Sequence, residues 1–247
     1  MTHQSGCLRC GAELEYFAEH RSLSCHFCGT TASGNARCVN GHYICDSCHR
    51  GSAQDVIESA CINSEARDPV SLAETLMKHP AMNMHGPEHH FLVPAVLLVA
   101  FAVKKELSGE EKAALIRKAR QRSEDVKGGF CGLHGACGAG IGTGIFVSLI
   151  TAATPLSTSE RGLSNRMTAE SLLKISGTGG ARCCKRDSLL AIFTAVQFLE
   201  SEFGILLPVK KEISCDFSHL NRECLEQDCP FQQEKAVRLC RTQGKSG

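Results

Sequence analysis

The chain has no excess of charge of either sign: its 247 residues hold 27 basic and 26 acidic side chains. Without a net field there is nothing to draw it to phosphate backbones or anionic lipid, which argues against a nucleic-acid binder and against a membrane binder. It also has no long apolar run. The longest, Phe91–Val103, is 13 residues and contains Pro94, well short of the roughly 20 residues a span requires, so it reads as a buried helix. The opening Met-Thr-His-Gln-Ser-Gly-Cys lacks a basic region followed by an apolar stretch, so no secretory leader is visible and the reading is a cytoplasmic protein. There is no internal repeat, no disordered tract and no G-x-G-x-x-G dinucleotide fingerprint. The nearest approach, Gly138-x-Gly140-x-Gly142, has the wrong spacing and no strand before it.

What is present is cysteine: 16 residues, seven of them within the first 48 positions. In a reducing compartment such density points to metal ligands or redox groups rather than disulfides. The first seven join one histidine in regular pairs: Cys7/Cys10, Cys25/Cys28, Cys38/His42 and Cys45/Cys48. Eight ligands fill two tetrahedral zinc sites with none left over. Gly11 and Gly29 follow the first two pairs, where a glycine lets backbone amides turn toward the thiolates. Sequential sites (7, 10, 25, 28, then 38, 42, 45, 48) are the favoured pairing, with an interleaved arrangement as the rival. Cys45-Asp-Ser-Cys48-His49 also spells the c-type haem attachment motif, but attachment needs export, and the zinc reading already uses both cysteines. Saturated sites leave no open position, so this module is structural.

Residues 1–50 therefore form a small zinc-ribbon-like β module, and 51–247 a mainly α domain. In the latter, Ala53–Ile62 is a short helix. Asp68-Pro69 opens another to Lys78. Glu88–Leu107 is apolar on most faces, and Ser108-x-x-Glu111 is a capping box for a charged helix to Ser123. Eight glycines crowd 128–144 before the apolar Ile145–Ala153, and Thr168 is placed to cap a helix through Ile175. Leu189, Phe193, Val196, Leu199 and Phe203 recur at three- and four-residue steps, predicting an amphipathic helix over 183–203 ended by Gly204. Leu206–Ile213 reads as extended.

Chemistry concentrates in this second part. Met-His-Gly-Pro-Glu-His-His (84–90) sets His85, Glu88, His89 and His90 at the start of the buried helix. These residues can ligate metal, or Glu88 can orient a proton-shuttling histidine. The plain alternative is a helix N-terminus with Glu88 favourable to the dipole. Cys131 and Cys137 flank a glycine-dense segment whose helix cost, up to about 1 kcal/mol per glycine, calls for close approach to a cofactor or to another helix. Cys183 and Cys184 lie between Arg182, Lys185 and Arg186 at a helix start, where amides and cations lower thiol pKa values. Adjacent helical side chains diverge by about 100°, so only one of the two faces a given centre. Cys215, Cys224 and Cys229, the last followed by Pro230, close the domain; with His219 they are also candidates for a third structural zinc. Cys61 and Cys240 read as core residues. Seven candidates (131, 137, 183, 184, 215, 224, 229) exceed one four-ligand centre, so either one iron–sulfur cluster coexists with free thiols or there are two centres.

CVNGHYICDSCH, MHGPEHHFLVPA, CGLHGACGAGIGTG, TPLS–RGLSNRMT, GGARCCKRDS and the terminal C-x8-C-x4-CPF resemble, in order, an uncharacterised prokaryotic cysteine-rich domain family over residues 38–231. That domain occurs alone or joined to radical-SAM or methyltransferase domains. The resemblance implies an association with iron–sulfur or S-adenosylmethionine chemistry. The CxxxCxxC radical-SAM motif is missing, so the chain would serve as a partner of a radical-SAM or methyltransferase protein. CGAGIGTG with the later cysteine pair is similar to small redox proteins of C-GCAxxG-C-C pattern. The Gly86–Pro94 and Cys184–Asp187 segments are similar to iron–sulfur L-serine dehydratases. There a Gly-Pro loop with histidine holds substrate and a Cys-x-Arg-Asn segment lies by the cluster; here Asp187 replaces the asparagine.

Three functions follow as expectations. In a redox protein, the cluster or the Cys183/Cys184 pair passes electrons to a partner. In a lyase acting on a small polar substrate, an open iron site is the Lewis acid, one of His85, His89 or His90 is the base, and Lys185 or Arg186 binds an anionic group. The third is a zinc-only interaction module.

Overall fold

A computed structural model describes residues 6–210 and 212–232. Among the described residues it is mainly α-helical, with nine α-helices and one two-stranded antiparallel sheet, as the sequence predicts. Cys240 lies outside the described residues.

The N-terminal hairpin pairs β1 (Leu14–Ser24) with β2 (Thr31–Cys38), Leu14 opposite Cys38 and Ser24 opposite Thr31. A short α1 (Asp46–Arg50) leads into α2 (Ala53–Asn63), whose Ser52 and Asp55 form a capping box. In α3 (Pro69–Met77) the Asp68 carboxylate accepts from the amides of Val70 and Ser71, with proline at the first helical position.

The central element is α4 (Glu88–Lys104), buried at every position from Glu88 to Ala102 except Phe101. It touches α2, α3, α5 (Gly109–Glu124), α7 (Gly138–Ile150) and α9 (Cys184–Phe203). Pro94 removes an amide from α4, and the His90 carbonyl one turn earlier instead accepts from the Ser123 hydroxyl of α5. Between α5 and α7 lies the four-residue α6 (Phe130–Leu133).

Three expectations on local structure change. The glycines at 138–144 belong to α7 itself, because close packing offsets their cost. A Cβ on Gly142 would stand 2.9 Å from the His90 carbonyl and 2.9 Å from Pro94 Cδ, and one on Gly144 would overlap Thr168. Helix α8 (Ser159–Ser176) starts well before Thr168, which lies mid-helix with its hydroxyl donating to the Ser164 carbonyl. Leu206–Ile213 forms no strand among its described residues. It runs as coil from the left-handed Gly204 that ends α9 and is held to α3 by the Lys210 amide donating to Asp68.

No helix among the described residues is long and apolar enough to cross a membrane.

Candidate metal centres

The hairpin decides how the first eight ligands are shared. Its register puts Cys38 beside the start of β1, so Cys7 and Cys10 meet Cys38 and His42. The turn end carries Cys25 and Cys28 to a bridge between Cys25 and Tyr43, next to Cys45 and Cys48. The two four-donor sets are thus interleaved, and the favoured sequential pairing is wrong. Spacing alone did not reveal which strand ends would meet.

Both sets have metal-site dimensions. Cys10 and Cys38 Sγ are 3.9 Å apart, Cys38 Sγ and His42 Nδ1 3.4 Å, and Cys28 and Cys45 Sγ 3.6 Å. A tetrahedron with metal–sulfur bonds of about 2.3 Å has sulfurs about 3.8 Å apart. Either set can hold a metal ion. The Arg9 amide donates to Cys7 Sγ at 3.4 Å, and the Ala12 amide leads the contacts that lower the exposed Cys10 thiol to about 6. In the second set, Cys25 is pulled down to about 4, foremost by the Cys48 thiol, and Cys48 is pushed up by that same contact.

The second set rests directly on the helical core. Phe27 meets the His79 ring edge-on at 4.2 Å, and His79 Nε2–H donates to the Cys48 carbonyl at 2.9 Å while its Nδ1 accepts from the Ala81 amide. Sequence reading missed His79, which carries no spacing signal.

The later cysteines divide around the N-terminus of α9. Cys183 directly precedes α9 and lines one cavity with Cys215, Cys224 and Cys229. Its neighbour Cys184, the first residue of α9, does not line that cavity; the Gly86 amide and the Cys131 thiol are among the groups that act on it. Cys131 and Cys137 line a separate cleft with Arg182, Arg186 and Asp187.

The first quartet has a repeated local geometry. The Phe217 amide donates to Cys215 Sγ at 3.3 Å and the Glu226 amide to Cys224 Sγ at 3.4 Å. The Phe231 and Arg186 amides pull the Cys229 and Cys183 thiols down against the effect of their burial. Three of these donors lie two residues after their cysteine, as Arg9 does after Cys7. The Cys215 amide donates to the Phe231 carbonyl at 2.7 Å, closing the loop between them. No three donor atoms here lie within 4.8 Å of one another, and exposed His219 joins no such set among the described residues. The third-zinc alternative with His219 therefore lacks its geometry.

Burial overrides the expected lowering of the α9 thiols. It pushes Cys183 up to about 11 against the pull of the Arg186 amide and guanidinium, and it raises Cys184. Cys137 likewise rises to about 11. Cys61 is fully buried, the core residue its isolation predicts.

The histidines converge only in part. His85 Nε2 meets Asn221 Oδ1 at 3.2 Å, tying this loop to the C-terminal cysteine segment. His89 Nδ1–H donates to the Gly86 carbonyl at 3.2 Å, and its Nε2, like His85 Nδ1, is buried without a partner. Burial, then the Lys185 charge, lowers His89 to about 3, so it is neutral. His90 Nδ1–H donates to the Val126 carbonyl at 2.8 Å, and its ring lies over Gly138. Glu88 is buried, accepts from the Asn83 amide and lies where a Cβ on Gly86 would be. Lys185 is buried, donates to the Met77 carbonyl at 3.0 Å, lies 4.8 Å from the Phe217 ring centre and is lowered to about 8 by burial. Arg186 pairs with Asp187 at 3.0 Å and donates to the Ala181 carbonyl. Asn221, missed by the sequence reading, is the link between the histidine loop and the cysteine loop.

Fold and donor sets together define a cysteine-rich, mainly helical protein whose N-terminal module carries two interleaved donor sets able to hold a metal ion each. The chain belongs to a family of unknown function, DUF5714, whose model matches residues 57–232. The match takes in the histidine loop, Cys61 and the seven candidate ligand cysteines from Cys131 to Cys229, and it begins after the N-terminal module. No curated protein and no solved structure matches the chain.

Proposed function

We propose that this is a metalloprotein whose N-terminal module holds two structural zinc ions and whose helical domain holds an iron–sulfur cluster on Cys183, Cys215, Cys224 and Cys229, in the service of electron transfer. The observation that carries the reading is the quartet itself: four cysteines lining one cavity, with the Phe217 and Glu226 amides donating to Cys215 and Cys224 Sγ. Amide–sulfur hydrogen bonds favour the thiolate and tune a cluster's potential.

The four cysteines stand further apart than a closed zinc tetrahedron holds its sulfurs, with no three donor atoms within 4.8 Å of one another among the described residues. An all-thiolate donor set suits iron–sulfur and not magnesium or calcium.

A cluster there would supply one electron at a time. Cys183 and Cys229 are buried while Cys215 and Cys224 are partly exposed, and buried Lys185 lies beside them, with a charge that favours the more negative reduced state. Four cysteines complete a four-iron cluster, which favours electron transfer over the lyase alternative with its open iron. The partner would be a radical-SAM or methyltransferase protein, as the sequence resemblance implies. Anaerobic purification tests the reading: a brown protein that bleaches on reduction and gains a paramagnetic signal is expected. Zinc as the sole metal in such a preparation sinks it.

A further inference from the structure

Across Arg186 and Asp187 from the quartet lies an open cleft of about 770 Å³ between α6, the C-terminal half of α8 and the start of α9. That is the size of a small-molecule pocket. One wall is apolar, with Leu172, Leu173 and Ile175, and Leu173 is 71% exposed. The facing wall carries the Cys131 and Cys137 thiols. Of the lining charges, Asp187 is neutralised by Arg186, while Arg182 is exposed and has no carboxylate partner among the described residues. The balance is one free guanidinium.

Gly132 leaves the facing wall of the cleft open. It lies in α6 with an ordinary backbone angle, and a Cβ there would meet no atom within 4 Å. Glycine in a helix costs up to about 1 kcal/mol relative to alanine. No turn and no close packing requires it here, yet it lines the cleft.

We propose that this cleft binds a small organic acid: a singly charged carboxylate on Arg182, with an apolar body laid along Leu172, Leu173 and Ile175 and reaching toward Cys131 and Cys137. The proposal rests on the function above only in leaving Cys131 and Cys137 outside the cluster's ligands. Polyphosphates fit poorly, because one free arginine cannot balance several charges.

The test is calorimetric titration of the anaerobically prepared full chain with 4-phenylbutyrate and with octanoate, beside their neutral amides. Saturable one-to-one binding of at least one acid is expected, with the amide and the Arg182→Gln variant each weaker by about tenfold or more. Gly132→Leu should abolish binding while leaving the unfolding midpoint near that of the wild type. The bound acid should slow iodoacetamide labelling of Cys131 and Cys137, read peptide by peptide. The proposal is overturned if neither acid saturates, if the amides bind equally, or if Arg182→Gln binds as tightly as the wild type. Iron content of the same samples separates the two ideas. Acid binding without iron keeps the cleft and removes the cluster; iron without acid binding does the reverse.

Discussion

Replacing ligands in pairs discriminates the interleaved metal module from its sequential rival by stoichiometry alone. Cys10 and Cys38 have sulfurs 3.9 Å apart and share one four-donor set, whereas Cys28 and Cys45 share the other. If the module holds two zinc ions, Cys10→Ser and Cys38→Ser should each release one. The double variant should release that same single ion, because the second substitution falls on a site already broken. In a sequential arrangement the two residues belong to different ions and the double variant would release both. Structural zinc contributes about 10–16 kcal/mol of apparent binding free energy near neutral pH, so each loss is all-or-none in native mass spectrometry. The sets should also differ in consequence. Cys10 is exposed, while Cys25, Cys28, Cys45 and Cys48 are buried against Phe27 and the helical core. Cys28→Ser should therefore lower the unfolding midpoint of the whole chain more than Cys10→Ser. Loss of two ions from Cys10→Ser/Cys38→Ser would refute the interleaved geometry.

Other consequences are open to measurement. Gly142→Ala should destabilise by up to about 2 kcal/mol, since a packing clash of about 1–3 kcal/mol against the α4 backbone outweighs a helix gain near 1 kcal/mol. Gly162→Ala in α8, where a Cβ meets nothing, should stabilise by up to about 1 kcal/mol in the same denaturant titrations. His89 is neutral in the fold with a pKa near 3, against about 6.5 unfolded, so the unfolded chain takes up its proton first as pH falls. Stability should fall from pH 6.5 toward pH 3, by about 2 kcal/mol at pH 5. The variant His89→Asn, which can still donate to the Gly86 carbonyl, should lose that part of the acid dependence. Asn221→Ala should cost about 1–3 kcal/mol by removing the partner of His85 Nε2, measured by thermal unfolding.

The helical order was legible wherever a local device marked it. The Ser108 and Asp68 caps, the apolar run from Phe91 and the three- and four-residue rhythm of α9 all appear as read. The start of α8 was not legible. Thr168 has the chemistry of a cap, but its hydroxyl bonds within a continuous helix. Glycine density in α7 was ambiguous because its cause lies in partners distant in sequence, His90, Pro94 and Thr168. At the metal centres, ligand identity was readable from spacing and ligand sharing was not, because sharing is set by the β1–β2 register. The division of Cys183 from Cys184 was expected from helical divergence, but Cys183 lies just before α9 in extended backbone. Which cysteines each would join was not legible, because the C-terminal loop returns to the start of α9 through His85–Asn221 and Cys215–Phe231 contacts that leave no sequence pattern. The thiol pKa values were misjudged for a related reason: local amides and cations were visible, and burial was not.

The central claim is that Cys183, Cys215, Cys224 and Cys229 hold an iron–sulfur cluster. Its most direct test is iron and acid-labile sulfide per chain in anaerobically prepared wild type, Cys229→Ala and Cys131→Ala. About four of each are expected in the wild type and in Cys131→Ala, and none in Cys229→Ala. Iron that survives Cys229→Ala but disappears in Cys131→Ala would contradict the account.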